Sequence, residues 1–304
     1  MIKRLLFGFL WFIGFIYCFN TSPNITANYL DKKVLIDPTP AWANDNIPND
    51  ENGKHFRRIQ KYAVTQKLNN YGLGTIVESI AFNLIGADYE SNLLDKSPQE
   101  DLFISLTKFD CVLFVETVLA LARGIIVEDY QYSTFTSNVS QQRYRDGNLE
   151  DYCSRLHYFS DWIIDNQNRG NLTNITKSIG GVELNKKFNF MSKHRWKYPQ
   201  LKNSDNYQCI VEVEKKLNNV NLYYIPTRNI KDIYPLLQSG DIVAIATRIP
   251  GLDVTHTGLI YRHHGNVGLI HASPAGKVTL ANDLQIYTSN VKFAIGVIVA
   301  RPTY

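Results

Sequence analysis

The chain has 304 residues, of which 44% are hydrophobic and 20% are charged, and its formal net charge is +4. This composition is that of a globular protein long enough to bury a large core. The positive charge is too small to favour nucleic-acid binding through electrostatics alone, so we expect no nucleic-acid partner.

The N-terminus has the pattern of a targeting segment. Lys3 and Arg4 precede an apolar stretch at residues 5–19, which is shorter than the roughly 20 residues of a membrane span. We predict that residues 1–20 are a signal peptide or an N-terminal anchor, and an anchor would tether the protein to a membrane. Residues 21–53 are rich in Asn, Pro and Asp and predict an extended linker or arm. Residues 54–304 then form the folded domain, exported to the periplasm or cell envelope.

The first half of the domain has mainly helical patterns. Apolar residues recur at helical spacing over residues 54–85, and the polar cluster at 69–72 divides this segment into two predicted helices. Residues 88–108 predict a loop with short structure. Residues 152–167 predict another helix, and residues 170–205 predict an irregular polar segment with buried aromatic anchors.

One predicted helix stands apart because it is apolar on every side. Residues 111–122 contain almost no polar side chain, which is typical of a helix buried all round. Asp110 is its expected N-cap, and Arg123-Gly124 is its expected end.

The C-terminal third changes to short segments of β type, separated by turn signals. The predicted strands are residues 220–225, 241–247, 256–262, 267–272, 278–280 and 294–300. Because helices come first and strands last, the sequence predicts a single α+β domain.

Cys111 has the position of an activated nucleophile. It begins the apolar helix, where first-turn amides and the helix dipole favour an anion, so we expect a thiolate at neutral pH. The same amides can donate to a developing oxyanion. The alternative is a small buried hydrophobic residue, which is what most free cysteines are.

Two histidines on neighbouring predicted strands are the candidate partners of Cys111. Strand alternation puts His256 and Gly258 on one face, and the glycine leaves room beside the imidazole. His271 follows after a short turn, so the two strands are expected to pair as a hairpin. His271 could then orient His256 as the base. The alternative is that both histidines are satisfied residues of the core or of a strand end.

A zinc site built from the same three residues is the competing chemical interpretation. The sequence has no close ligand pair of the C-x-x-C or H-E-x-x-H kind, so we predict no metal and no cofactor. Cys153 and Cys209 lack the context of Cys111 and are interpreted as structural. Export would permit a disulfide, but the sequence alone leaves their pairing open.

The motifs around these residues resemble those of a known family. Phe109-Asp110-Cys111, followed by Val112-Leu113-Phe114-Val115, resembles the D-C-x-x-F-V nucleophile motif of NlpC-like, papain-like cell-wall cysteine hydrolases. The segments that begin at His256 and Leu269 resemble their base strand and third-residue strand. The resemblance is closer to a branch formerly described as a domain of unknown function, whose members are N-acetylmuramoyl-L-alanine amidases. Further segments that resemble this branch are residues 143–147, 155–162, 189–192, 240–243 and 250–254.

The resemblance implies a papain-like fold, with an N-terminal helical part packed on a curled antiparallel sheet. It implies a cysteine amidase that cuts between the lactyl group of muramic acid and L-alanine in peptidoglycan or muropeptides. Cys111 would attack the amide carbonyl and form a thioester, His256 would move the protons, and His271 would orient His256.

Residues outside this triad are candidates for substrate binding, namely Arg143, Arg145 and His157. Arginine suits bidentate contacts to the carboxylates of a stem peptide. The alternative is a network of internal ion pairs, which we favour for Arg155 and Asp161. The same motifs are compatible with two other functions. One is an endopeptidase that cuts the γ-D-glutamyl bond of the stem peptide, and the other is an inactive module that binds cell-wall peptides.

Overall fold

The computed structural model describes residues 46–263 and 265–304. The predictions for residues 1–20, and for most of the linker at 21–53, lie outside the described residues. Within the described part, no helix is both long enough and apolar enough to cross a membrane.

Helices dominate the N-terminal half, and strands dominate the C-terminal half, in a mixed α and β arrangement. The helices are α1 (Glu51–Thr65), α2 (Leu73–Asn83), α3 (Cys111–Ile126), α4 (Tyr132–Arg143), α5 (Phe159–Asn168), α6 (Phe190–Lys193), α7 (Ser204–Leu217) and α8 (Leu284–Asn290). The strands are β1 (Asp88–Tyr89), β2 (Lys108–Phe109), β3 (Leu172–Asn174), β4 (Val182–Glu183), β5 (Tyr223–Pro226), β6 (Ile242–Thr247), β7 (Val254–His263), β8 (Asn266–Ala272), β9 (Val278–Ala281) and β10 (Ala294–Pro302). All six predicted strands are therefore confirmed, with ends that differ by a few residues.

The main sheet is antiparallel throughout. Its strand order is β4-β5-β10-β6-β7-β8-β9, and β3 also pairs with β10. The predicted hairpin of β7 and β8 is confirmed, with Leu259 opposite Ile270. Strands β1 and β2 form a separate parallel pair just before α3.

The sheet is buried on both faces. Strand β6 alternates accordingly: Ile242 and Ala244 face a core shared with α1–α4, whereas Val243 and Ile245 face a second core on the opposite side. Helix α3 lies in the first core, with nearly every residue from Leu113 onward buried. The predicted all-round burial of this helix is confirmed.

Two predicted helix boundaries are wrong. Helix α3 continues past Arg123-Gly124 to Ile126, because Gly124 is there for close approach rather than for a helix end. A Cβ on Gly124 would lie 2.5 Å from the carbonyl oxygen of Asp129. The helix predicted at 152–167 begins only at Phe159, since the chain before it forms turns and an isolated bridge between Arg155 and Tyr144.

Cys153 and Cys209 form a disulfide, with 6.1 Å between their Cα atoms. It joins the turn before α5 to helix α7, 56 residues later in the chain. The interpretation of both cysteines as structural is confirmed. The same turn carries Tyr152, Arg155 and His157, which line the cavity at the start of α3.

Replacing both cysteines by serine should lower the free energy of unfolding by about 2–4 kcal/mol, because closure of a loop of this length restrains the unfolded chain. Urea unfolding of the Cys153→Ser/Cys209→Ser variant measures the loss. As a control, a reductant should lower the midpoint of the parent protein and leave that of the double variant unchanged. Equal stability of the two proteins would contradict a structural role for the bond.

Candidate active site

Cys111 is the first residue of α3, and it is the free cysteine of the described chain. Asp110 caps the helix as predicted: its Oδ1 accepts hydrogen bonds from the amides of Val112 at 3.0 Å and Leu113 at 2.8 Å. The cap fixes the first turn and leaves the side chain of Cys111 partly exposed. The sulfur therefore lies at the end of a rigid, buried helix.

Strand β7 brings His256 to the same place. The backbone amide of Thr257, the next residue, lies near enough to the Cys111 sulfur to lower the pKa of the thiol. Cys111, His256 and Thr257 together line a cavity of about 280 Å³. The two residues that were predicted from distant parts of the sequence are thus brought together by the packing of α3 on β7.

His271 lies directly behind His256. His256 Nε2 and His271 Nδ1 share a hydrogen bond of 2.8 Å, and the two rings are almost perpendicular. The hydroxyl of Tyr287, on α8, lies 3.4 Å from the same Nδ1. In the tautomer in which His271 Nδ1 is the acceptor, the proton of His256 lies on Nε2. The Nδ1 atom of His256 is then the unprotonated one.

The meeting of the two imidazoles depends on Gly258. Continuing the register of β7 and β8 places this glycine opposite His271. A Cβ at this position would lie 2.7 Å from the carbonyl oxygen of Ile270 and 3.0 Å from Cβ of His271. Any side chain here would push the strands or His271 away.

A β-bulge adjoins the base. His256 pairs with Ile245 and Val254 pairs with Ala246, so Thr255 is an extra residue in β7. A bulge re-aims the side chains beside it and ends the regular pairing. In this position it separates the loop at residues 248–253 from the strand that carries His256.

The protonation states differ from the expectation of a thiolate. Burial and the neighbouring Asp110 raise the pKa of the Cys111 thiol to about 12, and the amides around the sulfur only partly offset this effect. Burial, together with the charge of His271, lowers the pKa of His256 to about 3. Burial lowers the pKa of His271 to about 4. The expectation of a resting thiolate is therefore wrong, because loss of solvent outweighs the helix terminus. The resting site holds a neutral thiol and two neutral imidazoles.

Two of the three residues predicted to bind substrate line this cavity. Arg143 is almost fully buried and is paired with Glu116, with 2.7 Å between Nε and Oε2. The imidazole of His157 is hydrogen-bonded to the carbonyl of Tyr152 at 2.7 Å. Burial and the charge of Arg155 hold the pKa of His157 well below its usual value, so this ring is neutral.

The structure does not bring Arg145 to this cavity. Its guanidinium is paired with Asp161 at 2.6 Å and lines a separate cavity beside the disulfide. Arg155 is paired with Asp95 at 2.6 Å. The internal ion pairs that we favoured for Arg155 and Asp161 are confirmed.

Two tyrosines near the sulfur have no counterpart in the sequence-based prediction. Tyr89 lies at the end of β1, and Tyr287 contacts both histidine rings from α8. Burial first, and then the charge of Cys111, raise the pKa of each phenol, that of Tyr287 to about 12. With 18 tyrosines in the chain and no motif around these two, no sequence signal distinguishes them.

Within residues 46–263 and 265–304, no group of three or more His, Cys, Asp or Glu side chains is arranged to hold a metal ion.

Comparison with known proteins identifies the family. The model of the AmiA-like family, described as N-acetylmuramoyl-L-alanine amidase-like, matches residues 79–295. The chain belongs to the AmiA-like family. The match includes the first turn of α3 and both histidine strands. None of the curated proteins compared with the chain matches it.

Solved structures of similar fold include amidases by name and one structure with a different name. A crystal structure named N-acetylmuramoyl-L-alanine amidase from Bacteroides uniformis is 31% identical, with a TM-score of 0.72, over 76% of this chain and 99% of that one. A structure from Bacteroides fragilis named as a candidate xylanase is 34% identical, with a TM-score of 0.68, over 73% of this chain and 99% of that one. A Legionella pneumophila protein from a domain family of unknown function is 21% identical, with a TM-score of 0.60, over 83% and 95% of the two chains, and shows the fold alone.

Gly258→Ala should lower the free energy of unfolding by about 1–3 kcal/mol, because a Cβ would collide with backbone and with His271. Urea unfolding measures this change. Gly72→Ala is the matched control, since a Cβ there meets no atom within 4 Å. If both variants unfold like the parent, Gly258 is not required for the packing of the histidine pair.

The depressed histidine pKa values predict a stability that falls on acidification. The unfolded chain takes up protons near pH 6.5, whereas His256 and His271 in the folded protein stay neutral down to about 3 and about 4. Their contribution is therefore complete above pH 6.5 and is lost as the pH falls from there towards 4. The slope is about 1.4 kcal/mol per pH unit for each histidine.

Urea unfolding at several pH values between 7 and 4 tests this dependence. His271→Gln should make the slope shallower. His194→Gln, at a residue that does not line the cavity, is the control and should leave it unchanged. An identical slope for parent and His271→Gln would rule out a buried neutral His271.

Proposed function

We propose that the protein is a cysteine-dependent N-acetylmuramoyl-L-alanine amidase that acts on peptidoglycan fragments. The observation that carries this proposal is the convergence of Cys111 and the hydrogen-bonded pair of His256 and His271 at one cavity. The family match and the amidase name of the Bacteroides uniformis structure supply the substrate class. A papain-like fold, of the NlpC-like type with a curled sheet, is part of the same proposal.

The resting protonation states define the first step. As the Cys111 sulfur attacks the amide carbonyl, its proton passes to Nδ1 of His256, since the isolated thiol is not ionised. His256 then carries a positive charge, and its Nε2–H donates to Nδ1 of His271. The backbone amide of Cys111 is the expected donor to the carbonyl oxygen as it gains negative charge.

In the remaining steps, His256 gives back each proton that it takes up. His256 returns its proton to the departing amine of L-alanine, which leaves the lactyl group bound to the sulfur as a thioester. His256 then takes a proton from water as that water attacks the thioester. The lactyl carboxylic acid and the free thiol are released, and both imidazoles are neutral again.

The substrate-binding residues have separate proposed roles. Arg143, although paired with Glu116, also lines the cavity, and a buried guanidinium there favours a substrate oxygen with negative charge. His157 is neutral and donates its Nε2–H to the carbonyl of Tyr152, so its Nδ1 can accept one hydrogen bond. A role for Arg145 stays a prediction, since its guanidinium is paired away from the cavity.

One relative is named as a xylanase, which is a glycosidase. The side chains of the cavity favour an amidase instead. Glycoside hydrolysis normally requires two carboxylates that flank the scissile bond. In this cavity Asp110 caps α3, Asp253 accepts from the amide of Ser160 at 2.7 Å, and Asp95 is paired with Arg155. These carboxylates are already committed to structural contacts.

We infer that the protein acts outside the cytoplasm, in the periplasm or cell envelope. The inference is supported by the targeting pattern at residues 1–20, as signal peptide or membrane tether, followed by a linker at 21–53 and the amidase domain at 54–304. The disulfide between Cys153 and Cys209 agrees with it, because such bonds persist in oxidising compartments.

Cys111→Ala should abolish hydrolysis of a muropeptide, and His256→Gln should lower kcat by about 10²–10⁴-fold, the usual contribution of a general base. Both changes should leave the unfolding midpoint near that of the parent. Liquid chromatography with mass spectrometry measures the products, and His194→Gln is the control. Undiminished turnover in Cys111→Ala would disprove a cysteine mechanism.

The same chromatograms identify the bond. Release of an intact stem peptide from the sugar supports the amidase. A dipeptide that remains on the sugar indicates a γ-D-glutamyl endopeptidase instead. Binding of the muropeptide by the parent protein without any product indicates an inactive binding module.

A further inference from the structure

A second surface of the domain carries more positive than negative charge. An open cavity of about 680 Å³ is lined by Lys186, Lys187, Lys193 and Arg248, and we call it the basic groove. Glu183 is the acidic residue among its lining side chains. Among the described residues, none of the four cations forms an ion pair. Clustered cations without partners attract anions to a concave surface.

The groove is anchored rather than formed only by mobile side chains. The ammonium of Lys186 is half-buried and donates a hydrogen bond to the carbonyl of Thr247 at the end of β6. The guanidinium of Arg248 lies 5.4 Å from the ring of Phe293, and the ammonium of Lys292 lies 4.9 Å from the same ring. A fifth cation is therefore held beside the groove by a shared aromatic contact.

The groove and the active-site cavity share a wall. Gly251 lines the groove, whereas Leu252 and Asp253 line the cavity. The carbonyl of Gly251 accepts hydrogen bonds from the amides of Asn189 and Phe190, both at 3.1 Å, which fasten the two segments of the wall. From Gly251 to His256 the chain advances five residues, which span about 18 Å at most.

We propose that the basic groove binds the carboxylates of the substrate's stem peptide. The proposal rests on the proposed function, because it concerns the peptide that remains attached to L-alanine. A stem peptide of four residues extends about 13 Å from the scissile amide, and the wall from Gly251 to His256 is no longer than about 18 Å. Its free carboxylates supply the negative charge that the groove lacks. The chemical class of ligand is a short peptide with two or more carboxylates.

Direct binding of the peptide, without chemistry, tests this proposal. The probe is the free tetrapeptide L-Ala-γ-D-Glu-meso-diaminopimelate-D-Ala, titrated by calorimetry into the full chain carrying Cys111→Ala. Adding Lys187→Gln, Lys193→Gln and Arg248→Gln should weaken binding by about tenfold, as expected for the loss of several exposed charge contacts. The loss should shrink in high salt. It should also shrink with a tetrapeptide whose carboxyl groups are amidated.

Controls separate this proposal from the catalytic one. Lys61→Gln, Lys67→Gln and Lys215→Gln in the same background remove the same number of charges elsewhere and should leave the Kd unchanged. Equal Kd values for the groove variant and its parent overturn the groove proposal, even when the active protein cleaves muropeptides. Failure of the active protein to cleave overturns the amidase assignment, while the titration still reports on the groove.

Discussion

The contact between the first turn of α3 and strand β7 determines the chemistry available to this protein. Helix α3 packs on β7, so the Cys111 sulfur, His256 and Thr257 line the same cavity. The contact is rigid because α3 is buried on all sides and β7 is an inner strand of the sheet. The rotation of α3 is also fixed by Glu116, which contacts both Arg143 and Trp162. An ion pair at this depth is costly to break, since either partner alone would be left charged and buried.

Burial of the site determines the protonation states of its side chains. A thiol and two imidazoles, all removed from water, are most stable in their neutral forms. In the mechanism that we propose, the thiolate nucleophile is therefore generated during the reaction and is not present beforehand. The two imidazoles would accept its proton without a carboxylate partner, and the positive charge on His256 would then lie between the thiolate and the neutral ring of His271. The hydroxyl of Tyr287 lies beside the same Nδ1 of His271 that faces His256.

Sequence patterns predict the parts of this structure that depend on local periodicity or on a motif. The strands, the apolar helix and its Asp110 cap, the histidine hairpin and the three residues at its centre could all be read from the chain. Helix α4 could not be predicted in this way, because its apolar face consists only of Phe135 and Val139 and the neighbouring residues are polar. The true end of α3 depends on the backbone of Asp129, which no local pattern near Gly124 encodes.

The chemistry of single groups is harder to predict, since it depends on the environment. Helix position alone suggests an ionised Cys111, but the neighbours that exclude water come from several distant segments. Arg143 and Arg145 look equivalent in sequence, two residues apart on a polar stretch. In the fold, one is buried beside the cavity and the other is paired with Asp161 by the disulfide. That distinction is a property of the tertiary structure.

The extra residue at Thr255 has an evolutionary consequence. Because the bulge at Thr255 already interrupts the ladder between Val254 and His256, the pairing of β7 with β6 from His256 onward does not depend on the length of the loop before Val254. Insertions or deletions between Arg248 and Asp253 can remodel the wall without shifting the imidazole. Descendants of this fold are thereby free to change what they recognise while the proton-transfer apparatus stays in register.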